Sequence, residues 1–213
     1  HLLCVRTRQS GQDLRGVVCE QGRALHGRVP RDGRLRERGL TGVQLVISDA
    51  HAGLKKAIAR CCQGTSWQRC RVHFLRNLLS HVPKAGQDMV AAAMKAVFVI
   101  QAPDQVRAHW QRVTEMLRKQ FPTAVPVMEA ARDDVLAFLD FPQEHWRKVW
   151  STNPLERLNK EIKRRTAVVG IFPTRDSVIR LVGMILAEQD DEWQDGRRYF
   201  RPETMALMDA VTE

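Results

Sequence analysis

Val43-Gln44-Leu45-Val46-Ile47 is a short, β-branched and largely apolar run that stops at Ser48-Asp49. A run of this kind, without polar alternation, is what a strand buried on both faces requires, and the polar pair then marks its C-terminal tip. Helical spacing follows at once, because Leu54, Ala57, Ile58, Cys61 and Cys62 recur along one face. The unit is therefore a strand passing directly into a helix, with Asp49 at the junction. A second unit starts near Trp67. Gln68-Arg69-Cys70-Arg71-Val72 reads as a short strand, after which Leu75, Leu78, Leu79 and Val82 trace one helical face while His73, Arg76, Asn77 and Ser80 line the other. Pro83 closes that helix.

Residues 86–150 read as helices only. Val90, Met94, Val97 and Phe98 form one stripe, Val106, Trp110, Val113 and Leu117 a second, and Met128, Ala131, Val135, Phe138 and Leu139 a third. Pro103, Pro122, Pro126 and Pro142 punctuate them. This pattern predicts an all-helical insertion between a strand-bearing part, residues 39–85, and the C-terminal helices of residues 151–213. The last long helix begins near Asp176, with Val178, Leu181, Val182, Ile185, Leu186 and Trp193 on its apolar side. Residues 1–38 differ from all of this. Their positive charge comes from arginine alone, Arg6 through Arg38 without a lysine, and only Leu2-Leu3-Cys4-Val5 and Val17-Val18-Cys19 suggest strands.

The segment from Ser151 to Arg165 places one carboxylate at the opening of a basic helix. Asn153 can cap it, Pro154 suits its first turn, and Glu156 then falls three residues after the cap. Two readings are open at Glu156. It can complete a capping box by reaching back to the cap's own amide, or it can serve as a metal-binding carboxylate beside the positive helix end. Asp49 carries the same ambiguity, since Ser48-Asp49-Ala50-His51 also makes an ordinary strand-to-helix turn. Arg157, Lys160, Lys163, Arg164 and Arg165 can hold phosphates or form a solvated face helped by the Glu161-to-Arg165 spacing. Spacing alone leaves Cys70 as a buried thiol and His73 as a surface imidazole. Cys61, Cys62, Cys70 and His73 supply zinc-ligand chemistry without a paired knuckle spacing. The tryptophans read as packing residues.

Lys plus Arg number 34 against 24 Asp plus Glu, a net charge of +10 spread along the chain, so a polyanion is the expected partner. Neighbouring Cys61 and Cys62 in an odd set of 5 cysteines do not suit a secreted disulfide framework and point to a reducing compartment. No apolar run approaches membrane-span length, and the N-terminus lacks a signal-peptide pattern. A cytoplasmic protein with no membrane partner is expected.

Three stretches, Val46-Ile47-Ser48-Asp49-Ala50-His51-Ala52-Gly53-Leu54, Trp67-Gln68-Arg69-Cys70-Arg71-Val72-His73-Phe74-Leu75-Arg76-Asn77 and Ser151-Thr152-Asn153-Pro154-Leu155-Glu156-Arg157-Leu158-Asn159, closely resemble the mutator-type bacterial insertion-sequence transposases, in the same order. The likeness runs on through Val168-Val169-Gly170-Ile171-Phe172-Pro173 to Glu188-Gln189-Asp190-Asp191-Glu192-Trp193, covering roughly residues 39 to 200. The resemblance implies an α/β fold, a ribonuclease H-like core carrying a helical insertion. It also implies a three-carboxylate site, of the acidic-triad (DDE) type, that cuts transposon ends and joins them to target DNA with Mg²⁺ or Mn²⁺. Asp49 maps to the second acid and Glu156 to the last, both as metal ligands. Cys70 and His73 map to the family's cysteine-then-histidine motif near the active site, with His73 positioning a phosphate or carboxylate. Double-stranded DNA, a homo-oligomeric assembly and a nucleoid-associated setting in the bacterial cytoplasm are implied as well.

The family's first catalytic Asp has no counterpart here. Asp13 and Asp32 are the upstream aspartates, and neither sits in an apolar strand context. Residues 1–38 therefore read as a degraded or frame-shifted remnant that leaves the N-terminal part of the core incomplete. The expectation is a transposase whose truncated chain is inactive alone, or a non-catalytic DNA-binding protein that competes with active transposase.

Overall fold

A computed structural model describes residues 2–6, 17–19 and 43–195. Four strands form one sheet: β1 (Leu2–Arg6), β2 (Val17–Cys19), β3 (Val43–Ser48) and β4 (Ser66–Arg69), in the order β2-β1-β3-β4. β1 runs antiparallel to both neighbours, with Leu2 opposite Cys19 on one side and Ser48 on the other. β3 and β4 are parallel, pairing Leu45 with Ser66 and Ser48 with Arg69. A parallel pair needs a crossover, and α1 (Ala52–Cys61) supplies it. The remaining described elements are helical, so the chain is mixed α/β and mostly helix. Asp13 and Asp32, and most of the segment read above as a remnant, lie outside the described residues.

β3 is buried on both faces, as its composition demands. Leu45 and Ile47 point into a large core, and Val46, between them, points the other way against Leu54 and Ile58 of α1. The large core is built by α2 (Arg71–Leu79), α3 (Lys84–Val97), α4 (Pro103–Gln120), α5 (Val125–Leu136) and the short α6 (Trp146–Val149). The three apolar stripes read from the sequence are its lining, from Val90 through Leu139, with Phe98 packed at its margin. Pro103 opens α4, Pro122 opens a 3-10 turn, Pro126 lies in the first turn of α5, and Pro142 precedes a further 3-10 turn.

Two expectations shift. The second strand ends at Arg69, and Val72 belongs to α2, because the chain turns at Cys70 once its amide has bonded the Ser48 carbonyl at 2.8 Å. In the C-terminal helix, α8 (Arg175–Asp195), Ile185 is buried but Leu186 is 42% exposed, and the Trp193 side chain lies outside the described residues. No described helix is long and apolar enough to cross a membrane.

Gln68 ties the sheet to the helical layer. It is fully buried on β4, its amide nitrogen donates to Val135 O and Arg69 O, both at 2.8 Å, and its amide oxygen accepts from Phe138 N at 2.7 Å. Replacing Gln68 with Met keeps the volume but orphans buried backbone groups at Val135 and Phe138. The expected loss is about 2–4 kcal/mol in urea unfolding, given roughly 1–3 kcal/mol for each buried group left unsatisfied. A loss below about 0.5 kcal/mol would show that these bonds do not hold the layers together.

Candidate active site

Three element ends converge at one edge of the sheet. β3 delivers Asp49 just past its last residue, α2 carries His73 in its first turn, and α7 (Asn153–Val169) opens with Glu156. Each end is fixed by buried polar bonds. The Ser48 hydroxyl accepts from the Trp67 indole N–H at 2.8 Å and donates to the Asp49 carbonyl at 3.0 Å, which sets the strand exit. The first amide of α2, Arg71 N, donates to Trp150 O at 3.0 Å, so a helix start that would otherwise be unpaired is satisfied from a distant part of the chain. Trp150 is held in turn by edge-on packing with Phe98 and Phe138 and by the Arg71 guanidinium 3.9 Å from its ring centre.

The helix at Glu156 starts one residue earlier than its sequence suggests. Thr152 is the cap but its hydroxyl bonds no backbone amide of the helix, Asn153 is the first helical residue, and Glu156 lies a place further in. No capping box forms. The Glu156 amide donates to Thr152 O at 3.0 Å, and the Thr152 hydroxyl contacts Glu156 Oε1 at 3.2 Å and Cys70 Sγ at 3.4 Å. One hydroxyl proton cannot serve both. The carboxylate is the stronger acceptor, so the hydroxyl donates chiefly to Glu156 and its contact with Cys70 Sγ is the weaker of the two. The Thr152 amide donates to Cys70 Sγ at 3.5 Å.

His73 stands between the two acids. Its Nδ1 lies 2.8 Å from Asp49 Oδ1 and its Nε2 3.7 Å from Glu156 Oε1. Nδ1 and Oδ1 are both shielded from water, yet neither makes an aligned hydrogen bond. The pair stands at imidazole–carboxylate distance, and what suits it to a cation is the third ligand atom beside it. Asp49, Cys70 and His73 each place a ligand atom within 4.8 Å of the others. Among the described residues Cys62 is not part of this group, and it packs instead against the Val46 side of the sheet. Of the set Cys61, Cys62, Cys70 and His73, Cys62 thus lies apart from Cys70 and His73, and the Cys61 side chain lies outside the described residues.

Two arginines that the sequence reading passed over flank Cys70. Burial pushes the Arg69 guanidinium below its ordinary value, opposed by Asp134 and Asp49, and burial likewise lowers Arg71, opposed by Cys70 and reinforced by Arg147. Arg69 thus sets positive charge against Asp49. The basic residues of α7 divide into two groups. Arg157, Lys160 and Lys163 are exposed, and Lys160 and Lys163 lie four and seven positions beyond Glu156, on its own face of the helix. Arg164 is paired bidentately with Glu161 at 2.7 and 2.9 Å, and Arg165 bonds both Glu161 and Glu188 at 2.9 Å.

The family description "Transposase, Mutator family" matches residues 33–196. The chain belongs to that family. A transposase for insertion sequence element IS1081 of Mycobacterium tuberculosis is 48% identical over 168 residues, covering 79% of this chain and 40% of that protein. A transposase for ISRM5 of Rhizobium meliloti is 39% identical over 78% of this chain and 42% of its own length. A transposase for IS256 in transposon Tn4001 of Staphylococcus aureus is 32% identical over 93% and 52%. The chain therefore spans about half the length, or less, of these relatives. All three stretches that carry the mutator-family resemblance fall inside the matched residues, and their chemistry-bearing side chains are those that meet at the sheet edge.

Thr152 was missed in the sequence because a threonine one place before Asn153 looks like a weaker cap. Arg71 was missed because it was counted into a strand. The one available signal was an arginine on each side of a cysteine in an otherwise short apolar run.

Hydrogen bonds from Arg164 and then Arg165 hold the Glu161 carboxyl at about 2. A carboxyl lowered in the folded state contributes stability that is present above its unfolded value and disappears as pH falls through the folded one. Glu161 should therefore add to acid lability between about pH 4.5 and about pH 2. Thermal melting of Glu161→Gln across that range should show a shallower decline, with the difference shrinking at high salt because the cluster is solvent-facing. Parallel declines would remove Glu161 from the account.

Proposed function

We propose that this chain carries the active-site part of a DDE-type insertion-sequence transposase. The supporting observation is that Asp49 and Glu156, 107 positions apart by 156 minus 49, face opposite nitrogens of one imidazole. In this reading the sheet with α1, α2, α7 and α8 is a ribonuclease H-like core, split as residues 39–85 and 151–213. Residues 86–150 are its helical insertion, and residues 1–38 are an incomplete opening of the core. The helices of the insertion nevertheless share one hydrophobic interior with Leu45 and Ile47.

Asp49 and Glu156 would hold Mg²⁺ or Mn²⁺, whose oxygen preference suits both carboxylates. When bound, a divalent ion supplies Lewis-acid stabilisation at phosphoryl oxygen and a more acidic water. His73 keeps the carboxylates apart and oriented, and its ring is within reach of a phosphate seated at the same edge. Lys160 and Lys163, in line with Glu156, would bind backbone phosphates and so register duplex DNA against the carboxylates without reading its sequence. Arg164 and Arg165 contribute less, since Glu161 and Glu188 already engage them. A homo-oligomer acting on transposon ends and target DNA, in the bacterial cytoplasm, completes the proposal.

The second reading, a DNA-binding chain without cleavage, is favoured by one observation. β1 and β2 carry the sequences Leu2-Leu3-Cys4-Val5-Arg6 and Val17-Val18-Cys19, neither with an acid. Leu2 pairs with Ser48, so the start of β1 lies at the Asp49 edge without bringing a carboxylate to it. With two carboxylates at this edge among the described residues, the chain is expected to bind DNA and to cleave little or none.

The test uses an insertion-sequence end duplex with Mg²⁺ or Mn²⁺. Metal-dependent nicking that Glu156→Gln abolishes supports the enzyme, and unchanged binding without nicking supports the binder. In either case the slope of log affinity against log salt should shrink by about 0.9 for each of Lys160→Ala and Lys163→Ala. Unaltered slopes would take α7 out of the DNA interface.

A further inference from the structure

We propose that Cys70 is a positioning residue for the Glu156 carboxylate, acting through Thr152. The proposal rests on the metal-site reading above and adds a residue to it. Cys70 is fully buried and belongs to neither hydrophobic cluster. Its contacts reach every segment that supplies the site. Its amide bonds Ser48 O at 2.8 Å, next to Asp49. It caps α2, three residues ahead of His73. Its sulfur receives the Thr152 amide at 3.5 Å and touches the Thr152 hydroxyl at 3.4 Å, and that hydroxyl reaches Glu156 Oε1 at 3.2 Å.

The arrangement explains why the Thr152 hydroxyl bonds no amide of the helix that Thr152 caps. In an ordinary N-cap the hydroxyl oxygen accepts an amide two or three residues on. Here it is drawn sideways into a line running from sulfur to hydroxyl to carboxylate, and the cap amide is held by the same sulfur. The start of α7 is therefore held to the start of α2 at the turn that carries Glu156. The long C–S bonds and large radius of sulfur let one buried atom meet both the amide and the hydroxyl. A serine oxygen, on shorter bonds, would reach one of them less well. Partners behind metal ligands of this kind typically alter metal affinity by about 10- to 100-fold when removed.

The test compares Cys70→Ala, Cys70→Ser, Thr152→Val and the Cys70→Ala/Thr152→Val double variant in the full chain, each checked for a cooperative melt. Hydrogen exchange of the Thr152 amide and Mn²⁺ affinity from electron paramagnetic resonance are measured on each. Cys70→Ala is expected to speed Thr152 exchange and to weaken Mn²⁺ about 10-fold, with Cys70→Ser between it and the unmodified chain. Thr152→Val, which keeps the amide, should weaken Mn²⁺ similarly with little change in exchange. The double variant should be no weaker than the weaker single, because the two residues act in series.

Unchanged exchange and affinity in Cys70→Ala overturn the proposal. Weakening in Cys70→Ala with none in Thr152→Val also overturns it, since Cys70 then acts as a metal ligand or a packing group. Should Cys70→Ala fail to fold, Thr152→Val still decides, because unaltered Mn²⁺ affinity in that variant breaks the series. Mn²⁺ affinity that ignores Glu156→Gln marks a different failure, that of the metal site itself.

Discussion

The two-sided burial of β3 is the constraint on which the rest depends. Leu45 and Ile47 need cover on one face and Val46 on the other, so α1 must cross one side while a helical layer closes the other. Removing a strand this apolar from water is favourable by about 1.5–3 kcal/mol for each large side chain, which leaves little freedom in where the strand ends. Asp49 is consequently presented at a fixed edge. The same burial makes Ser48 a polar group that must be satisfied, and Trp67 and the Cys70 amide satisfy it. The residues beside the acid are thereby set before any contact to Glu156 is made.

The second half of the site is fixed by the far side of the helical layer. Phe98, Phe138, Trp146 and Trp150 pack at centroid separations from 5.2 to 5.9 Å, edge to face except for the tilted Phe98–Phe138 pair, and this cluster delivers the Trp150 carbonyl to the first amide of α2. Only two residues separate Trp150 from the helix bearing Glu156. The distance in sequence between Asp49 and Glu156 is thus closed by a packed core and not by a flexible loop. A site built from element ends on a rigid scaffold suits chemistry that depends on placing a phosphate accurately. Arg69 and Arg71, half-buried beside Cys70, add fixed positive charge beside the two acids.

Much of this was legible in the chain before its structure, and the reasons are physical. A continuous apolar run and a 3.6-residue period report burial directly, so β3 and the stripes from Val90 to Leu139 could be read from residue type. Three ordered motifs singled out Asp49, His73 and Glu156, whereas spacing alone left each with an ordinary structural role. What could not be read is where tertiary contacts overrule local preference. Asn153 is the better cap by type, but Thr152 takes the position because Cys70, 82 residues earlier, holds it. Arg71 looked like a strand residue until the Trp150 carbonyl gave α2 its start. Leu186 fits the apolar stripe of α8, yet the packing of that helix covers Ile185 and leaves Leu186 out.

The central proposal is that one cation binds at the edge formed by Asp49, His73 and Glu156, with Glu156 joining the group of Asp49, Cys70 and His73 whose ligand atoms lie within 4.8 Å of one another. Mn²⁺ titration of the unmodified chain, followed by electron paramagnetic resonance and repeated on Asp49→Asn, tests it most directly. The account predicts a single saturable class of bound Mn²⁺ that Asp49→Asn weakens at least about 10-fold, as expected for loss of a charged ligand. Equal Mn²⁺ affinity in the two proteins would contradict it.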